Sequence, residues 1–214
     1  MKLRIEPLAR TIGRGPAAHR ADTAPPSVFE GGMVRLQVAL EPQWRSNWCW
    51  SSVTCAIATY YGDTSWQQDS LAWHILCRDQ VRPNCAPPAA LLEAERYNQP
   101  APLERTLRYV NCLAGWSSGR PPFRRLIREL DSGRPMAVAI RWRSGTQHYV
   151  LLDGYCRHRR LVYGADPQGS RFEACFDDFP LHYRHGGEWM ETYWTHNPYS
   201  ARAGYRGEAQ YEQL

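Results

Sequence analysis

Gln43-Trp44-Arg45-Ser46-Asn47-Trp48-Cys49-Trp50 runs into Ser51-Ser52-Val53-Thr54-Cys55-Ala56-Ile57-Ala58-Thr59-Tyr60-Tyr61, and the change of character at Cys49 decides how the chain is read. Before Cys49 stand polar and aromatic residues with no period. After it, Val53, Ile57 and Tyr60 or Tyr61 share one helical face, which predicts a helix over 49–61. Ser46 or Asn47 can cap its start, and Gly62 can take the left-handed conformation that stops it.

Working outward, Ser65 with Gln68 three residues on has the form of a capping box for a second helix reaching about Cys77. Further helices are expected over 89–97, after Pro87-Pro88, and over 123–130, after Pro121-Pro122. In the latter, Phe123, Leu126, Ile127 and Leu130 keep the i, i+3, i+4, i+7 spacing, and Gly133 follows as a stop. On the N-terminal side Val34, Leu36, Val38 and Leu40 alternate as in a half-buried strand. Beyond Gly133 the period changes. Residues 135–142, 148–155, 161–166, 172–176 and 189–195 are short, β-branched or aromatic, and divided by turn residues, as strands are.

Helices first and strands second predict an α+β domain, with an N-terminal helical half packed against a C-terminal antiparallel sheet. That domain is placed at 33–196. Residues 1–32 hold Gly13, Gly15, Pro16, Pro25, Pro26, Gly31 and Gly32 without apolar periodicity, and read as a flexible arm or pro-segment. Residues 28–32 are expected to be plain loop, and 197–214 a polar tail.

Composition narrows the function classes. With 9 Trp, 12 Tyr and 5 Phe among 214 residues, the chain has too many large apolar side chains to stay unfolded. The longest uncharged apolar runs, such as 136–140 and 149–152, fall far short of the ~20 residues that a membrane-spanning helix needs. The net charge of +5 is carried almost wholly by arginine, Lys2 being the one lysine. The arginines are scattered, densest at Arg124-Arg125 and over 157–160, with no stripe of interleaved aromatics, so nucleic acid is not an expected partner. Residues 1–10 show no secretory signal, which predicts a cytoplasmic start; signal-independent export stays open.

The 7 cysteines, an odd number, imply at least one free thiol. Cys49 is the one placed where backbone N–H groups at a helix start favour a thiolate. Cys55, in mid-helix, reads as a small core residue. A thiolate attacking an acyl carbon also needs a proton carrier and a stabiliser for the oxyanion. Gln43, six residues before Cys49, can swing an amide N–H toward the site that the Cys49 N–H faces. His148 opens the strongest strand of the second half. Asp166 ends the next strand, where its carboxylate can hold the imidazole in one tautomer. Asp153 shares the strand of His148 at an odd offset, which sends its side chain to the other face. His74, Cys77 and Cys85 lack a fourth zinc ligand at finger-like spacing, and no metal or cofactor is expected; a Cys77–Cys85 disulfide needs an oxidising compartment. Trp66, Trp73, Trp116 and Trp142 are expected in the core.

Taken together, Gln43, Cys49-Trp50, His148 and Asp166 resemble the papain-like cysteine peptidases. Asn47-Trp48-Cys49-Trp50-Ser51-Ser52, Gln147-His148-Tyr149-Val150 and Asp166-Pro167-Gln168-Gly169 resemble most the compact bacterial branch that includes the avirulence-type effector proteases. The resemblance implies a papain-like fold and a Cys49, His148, Asp166 triad, with Gln43 at the oxyanion and a thioester intermediate. Water resolving the thioester makes a peptidase of peptide or protein substrates. An amine resolving it makes an amide synthetase or acyltransferase, and a binding module that kept the fold is a third alternative.

Overall fold

The computed structural model describes residues 27–29, 32–77 and 94–200. Strand β5 (Gln147–Cys156) is its spine: every residue after Gln147 is buried, as expected for a strand covered on both faces. One edge of β5 pairs with β4 (Met136–Trp142), from Met136 opposite Leu152 to Arg141 opposite Gln147. Where β4 leaves off, β2 (Met33–Arg35) pairs with residues 154–156. The other edge takes β6 (Leu161–Asp166), which pairs in turn with β7 (Ser170–Cys175). Beyond β4 lie β8 (Gly187–Thr195) and then β3 (Leu113–Ser118), while β1 (Ser27–Phe29) pairs with β2, so that the eight strands among the described residues form one antiparallel sheet. β5 and β6 approach closely at Gly164, where a Cβ would stand 2.3 Å from the Leu151 carbonyl oxygen and 2.6 Å from the Phe172 ring. Only glycine fits there.

Among the described residues four helices accompany the sheet: α1 (Cys49–Tyr60), α2 (Gln68–Leu76), α3 (Leu103–Tyr109) and α4 (Phe123–Asp131). α1 packs on β5, with α2 and α3 against α1, whereas α4 packs against β5 and β2. Their inward residues, including Ile57, Leu71, Leu107 and Leu126, join Val150, Leu152 and Ile140 in one continuous core. No described helix is long and apolar enough to cross a membrane.

The protein is α+β, as the order of periodicities predicts, and several local expectations need correction. Ser27–Phe29, assigned to the arm and to plain loop, forms β1. Val34, Leu36 and Val38 are buried in alternation, yet the strand ends at Arg35. α1 stops at Tyr60 and Gly62 has φ +97°, the left-handed stop. The capping box of α2 pairs Gln67 with Ser70, while Ser65 bonds Asp63. Residues 95–97 form a single 3-10 turn preceded by irregular backbone at 94; residues 89–93 of the expected third helix lie outside the described residues, as does Cys85. α3 and β3 were not expected: α3 is a seven-residue helix, too short for a period to declare itself, and β3 is Leu-Ala-Gly-Trp-Ser-Ser. Trp73 and Trp142 are buried and Trp66 half-buried, but Trp116 on edge strand β3 is 48% exposed.

Leu126 is fully buried on α4, whereas Arg124 on the same helix is exposed. Leu126→Ala is expected to lower the unfolding free energy by about 2–5 kcal/mol, and Arg124→Ala by less than about 0.5 kcal/mol, as read by urea denaturation.

Candidate active site

The end of α1 that carries Cys49 is fixed by its neighbours. Trp48 takes the N-cap position and no side chain caps the helix. Ser46 and Asn47, the expected caps, are drawn instead to Asn98, a mostly buried amide that must find partners. The Asn98 Nδ2 donates to Ser46 Oγ at 2.8 Å, the Asn47 N–H donates to Asn98 Oδ1 at 2.9 Å, and Asn47 Nδ2 donates to the Asn98 carbonyl at 2.8 Å. Trp48 and Trp50, both at 0% exposure, donate their indole N–H groups to the carbonyls of Tyr97 and Gln99 at 2.9 and 3.1 Å. Aromatic burial and these bonds hold the first turn of α1 still.

His148 reaches Cys49 from β5. Its Nε2 pairs with Asp166 Oδ1 at 2.8 Å, and the Cys49 side chain is near enough to act on the same imidazole. The sheet register makes this contact: Ala165 lies opposite Leu151, so Asp166 is one step further along and shares a face with His148. Trp142, the diagonal neighbour on β4, stacks on the imidazole with centroids 5.8 Å apart and an interplanar angle of 25°. Burial opposes charging of the imidazole, but its hydrogen bonds to Asp166 and Cys49, and their charges, more than offset this and push its pKa up to about 9.

Asp166 has no exposed surface, and four donors surround it. Oδ1 accepts from His148 and from the Gln168 N–H at 2.7 Å. Oδ2 accepts from the Tyr183 hydroxyl at 2.7 Å and lies 2.8 Å from Arg184 Nε. Burial alone would raise its pKa; the bond to His148, the imidazolium charge, the Gln168 N–H and the Tyr183 O–H hold it below the ordinary carboxylate value. Asp153 is the contrasting case. Also fully buried, it pairs with Arg171 and, at 3.8 Å, with Arg35, while its Oδ1 accepts no hydrogen bond; burial pushes its pKa up in spite of the two arginines.

Gln43 is oriented differently from the expectation. Its Nε2 donates to the carbonyls of Arg45 and Ser46 at 2.9 and 2.7 Å, because the turn over 44–47 folds back on the side chain. Its Oε1 is buried and accepts no bond, and its N–H donates to the Pro167 carbonyl at 2.7 Å. The segment is held by Gln68, 1% exposed, whose Oε1 accepts from the Trp44 N–H at 3.0 Å and whose Nε2 donates to the Pro42 carbonyl at 2.9 Å. One buried amide thus grips the residues on both sides of Gln43. Ser51 Oγ donates to the Gln68 carbonyl at 2.9 Å, tying the grip to α1. Nothing in the sequence marks Gln68, Tyr183 or Arg184 for these contacts, since each acts across 14 residues or more or from a loop without period. Of the residues weighed as metal ligands, His74 Nδ1 faces the Tyr109 hydroxyl at 2.8 Å and Cys77 is a buried free thiol; Cys85 lies outside the described residues.

A family model, the Peptidase_C39 like family, matches residues 35–205, from β2 through the last described residues and beyond. The chain belongs to this family. Membership makes it a papain-like cysteine peptidase in general class, and the α+β architecture agrees. No curated protein gives a match.

Within this Peptidase_C39-like chain the thiols differ in setting. Burial pushes Cys55 and Cys112 up to about 12, and raises Cys77 as well, whereas Cys49 lies in electrostatic reach of the His148 imidazole. Iodoacetamide near neutral pH is expected to label Cys49 at least ~10-fold faster than Cys55 or Cys112, because only the thiolate reacts. Mass mapping of the labelled peptides reads the order, and faster labelling of Cys55 or Cys112 would contradict it.

Proposed function

We propose that the protein is a peptidase acting through Cys49, His148 and Asp166. The observation that carries this is His148 Nε2 paired with Asp166 Oδ1 at 2.8 Å, with Cys49 in electrostatic reach of the same imidazole. The Cys49 thiolate attacks the scissile carbonyl, forming a C–S bond and an oxyanion. His148, as imidazolium, gives its proton to the leaving amine, and a thioester remains. Neutral His148 then takes a proton from water, which attacks the thioester and frees the acid and the thiol. Asp166 keeps the imidazole in the tautomer that faces sulfur. The uncapped start of α1 supplies the Cys49 N–H to the oxyanion. For Gln43 to add a second donor its amide must turn away from the Arg45 and Ser46 carbonyls, a side-chain rotation with the backbone held by Gln68. The Asn47–Ser52 lead-in with the motifs at Gln147–Val150 and Asp166–Gly169 supports a place beside the avirulence-type effector proteases.

The test is a panel of peptides and acyl thioesters incubated with the full chain, with and without excess amine, and read by mass. Hydrolysed peptides are expected, with His148→Ala lowering kcat/KM by about 10²–10⁴-fold at unchanged circular dichroism. Amide product without hydrolysis would move the assignment to an amide synthetase, and no product of either kind to a binding module. Because the imidazolium must survive for the first step, activity should fall as pH rises through about 9. Asp166→Asn keeps an oxygen for Nε2 but removes the charge that favours imidazolium, so this alkaline limb should move to lower pH.

A further inference from the structure

Arg184 stands in the loop between β7 and β8, and its contacts converge on one turn. Nε lies 2.8 Å from Asp166 Oδ2 and donates to the Tyr183 hydroxyl at 3.1 Å. Nη1 donates to Gln168 Oε1 at 2.9 Å and Nη2 to Ser170 Oγ at 2.8 Å. These partners lie on β6, on the β6–β7 turn, at the start of β7 and on the neighbouring Tyr183. The backbone of Arg184 has φ +49°, a left-handed conformation that a residue with a Cβ adopts at a cost. A fork of this kind, fixed by four partners and aimed at a carboxylate, is what a planar guanidinium does and an ammonium does not.

The carboxylate it meets is the one that His148 uses. Asp166 therefore serves two cations, one on each oxygen. The charged and titratable groups around this pair are all in place: Cys49 from α1, His148 from β5, Tyr183 and Arg184 from the β7–β8 loop, and His185 edge-on to Trp142, the ring that stacks on His148. Tyr149, next along β5, is also within electrostatic reach of Cys49. Of these, Arg184 is the one permanent cation, and it bears on the oxygen opposite His148.

We propose that Arg184 is a positioning residue for the His148–Asp166 pair: it locks the carboxylate in line with Nε2 and, by sharing its charge, limits how firmly the imidazole keeps its proton. The inference rests on the reading of His148 as proton carrier. A carboxylate left wholly to His148 would hold the imidazolium to higher pH and slow the return of the proton-accepting form. With Arg184 in place, the acid behaves toward His148 more like a neutral hydrogen-bond acceptor fixed in orientation.

The test is Arg184→Gln in the full chain, with the His148 imidazole titrated by nuclear magnetic resonance and peptide turnover followed against pH. Loss of the cation should move the His148 midpoint up by about half a unit to one unit, and the alkaline limb of peptide turnover with it. Arg184→Lys, which keeps the charge, should return most of the shift. The double variant Gln168→Ala, Ser170→Ala frees two arms of the guanidinium and should shift the midpoint the same way by less. A folded Arg184→Gln protein whose His148 titrates as in the parent overturns the proposal, as does an unshifted midpoint in the double variant. A shift in a protein whose parent cleaves no peptide upholds Arg184 and removes the peptidase reading; an unshifted midpoint in an active protein does the reverse.

Discussion

Asp166 is a carboxylate with no solvent, and much of the surrounding structure exists to supply it with donors. An ionised acid cannot be buried without strong hydrogen bonds or countercharge, because several kcal/mol of hydration are lost with the water. Here the debt is met from β5, from the turn after β6 and from the β7–β8 loop. Asp153, equally buried one strand away, has two arginines but an Oδ1 that accepts no hydrogen bond, and its pKa moves the other way. Burial is common to both; the number and aim of the donors separates them.

The pair at His148 and Asp166 is only as rigid as β5. That strand is buried along nearly its whole length, pairs on both edges and carries α1 on one face, so His148 and the Cys49 end of α1 are two parts of one packed unit. The Gln43 segment has no such scaffold. It is irregular backbone, and it is held by side chains acting as substitutes for a strand: Gln68 on either side of Gln43, Asn98 on the turn that follows, and the Pro167 carbonyl on Gln43 itself. A loop secured by buried amides can keep a fixed backbone while a side chain within it turns.

Legibility in the sequence follows physical range. α1 and α4 were readable because nine or more residues repeat one apolar face, and β4, β5 and β6 because β-branched and aromatic runs end at glycine or proline turns. α3 spans only about two turns of helix, and β3 contains Ala114, Gly115, Ser117 and Ser118, which carry no strand preference. The capping of α2 starts two residues later than Ser65 predicts, because Gln67 and Ser70 close the box with the two residue types in reverse order; the backbone decides which pair closes. Cys49, His148 and Asp166 stood out because each occupies the end of an element. Arg184 and Tyr183 sit in Asp178–Gly186, a turn-rich segment with neither period nor motif, and no local signal marks them.

What the sequence determined by itself was the chemistry at element boundaries and the α+β class, because both depend on periodicity and on residue type over short stretches. What only the tertiary structure decided was partnership. Which amide grips the Gln43 loop, and which hydroxyl and cation share Asp166 with His148, are set by strand register and by loops crossing between strands. Those contacts join residues far apart in the chain, where no local pattern reaches; only the buried carboxylate's need for donors, met in three dimensions, selects them.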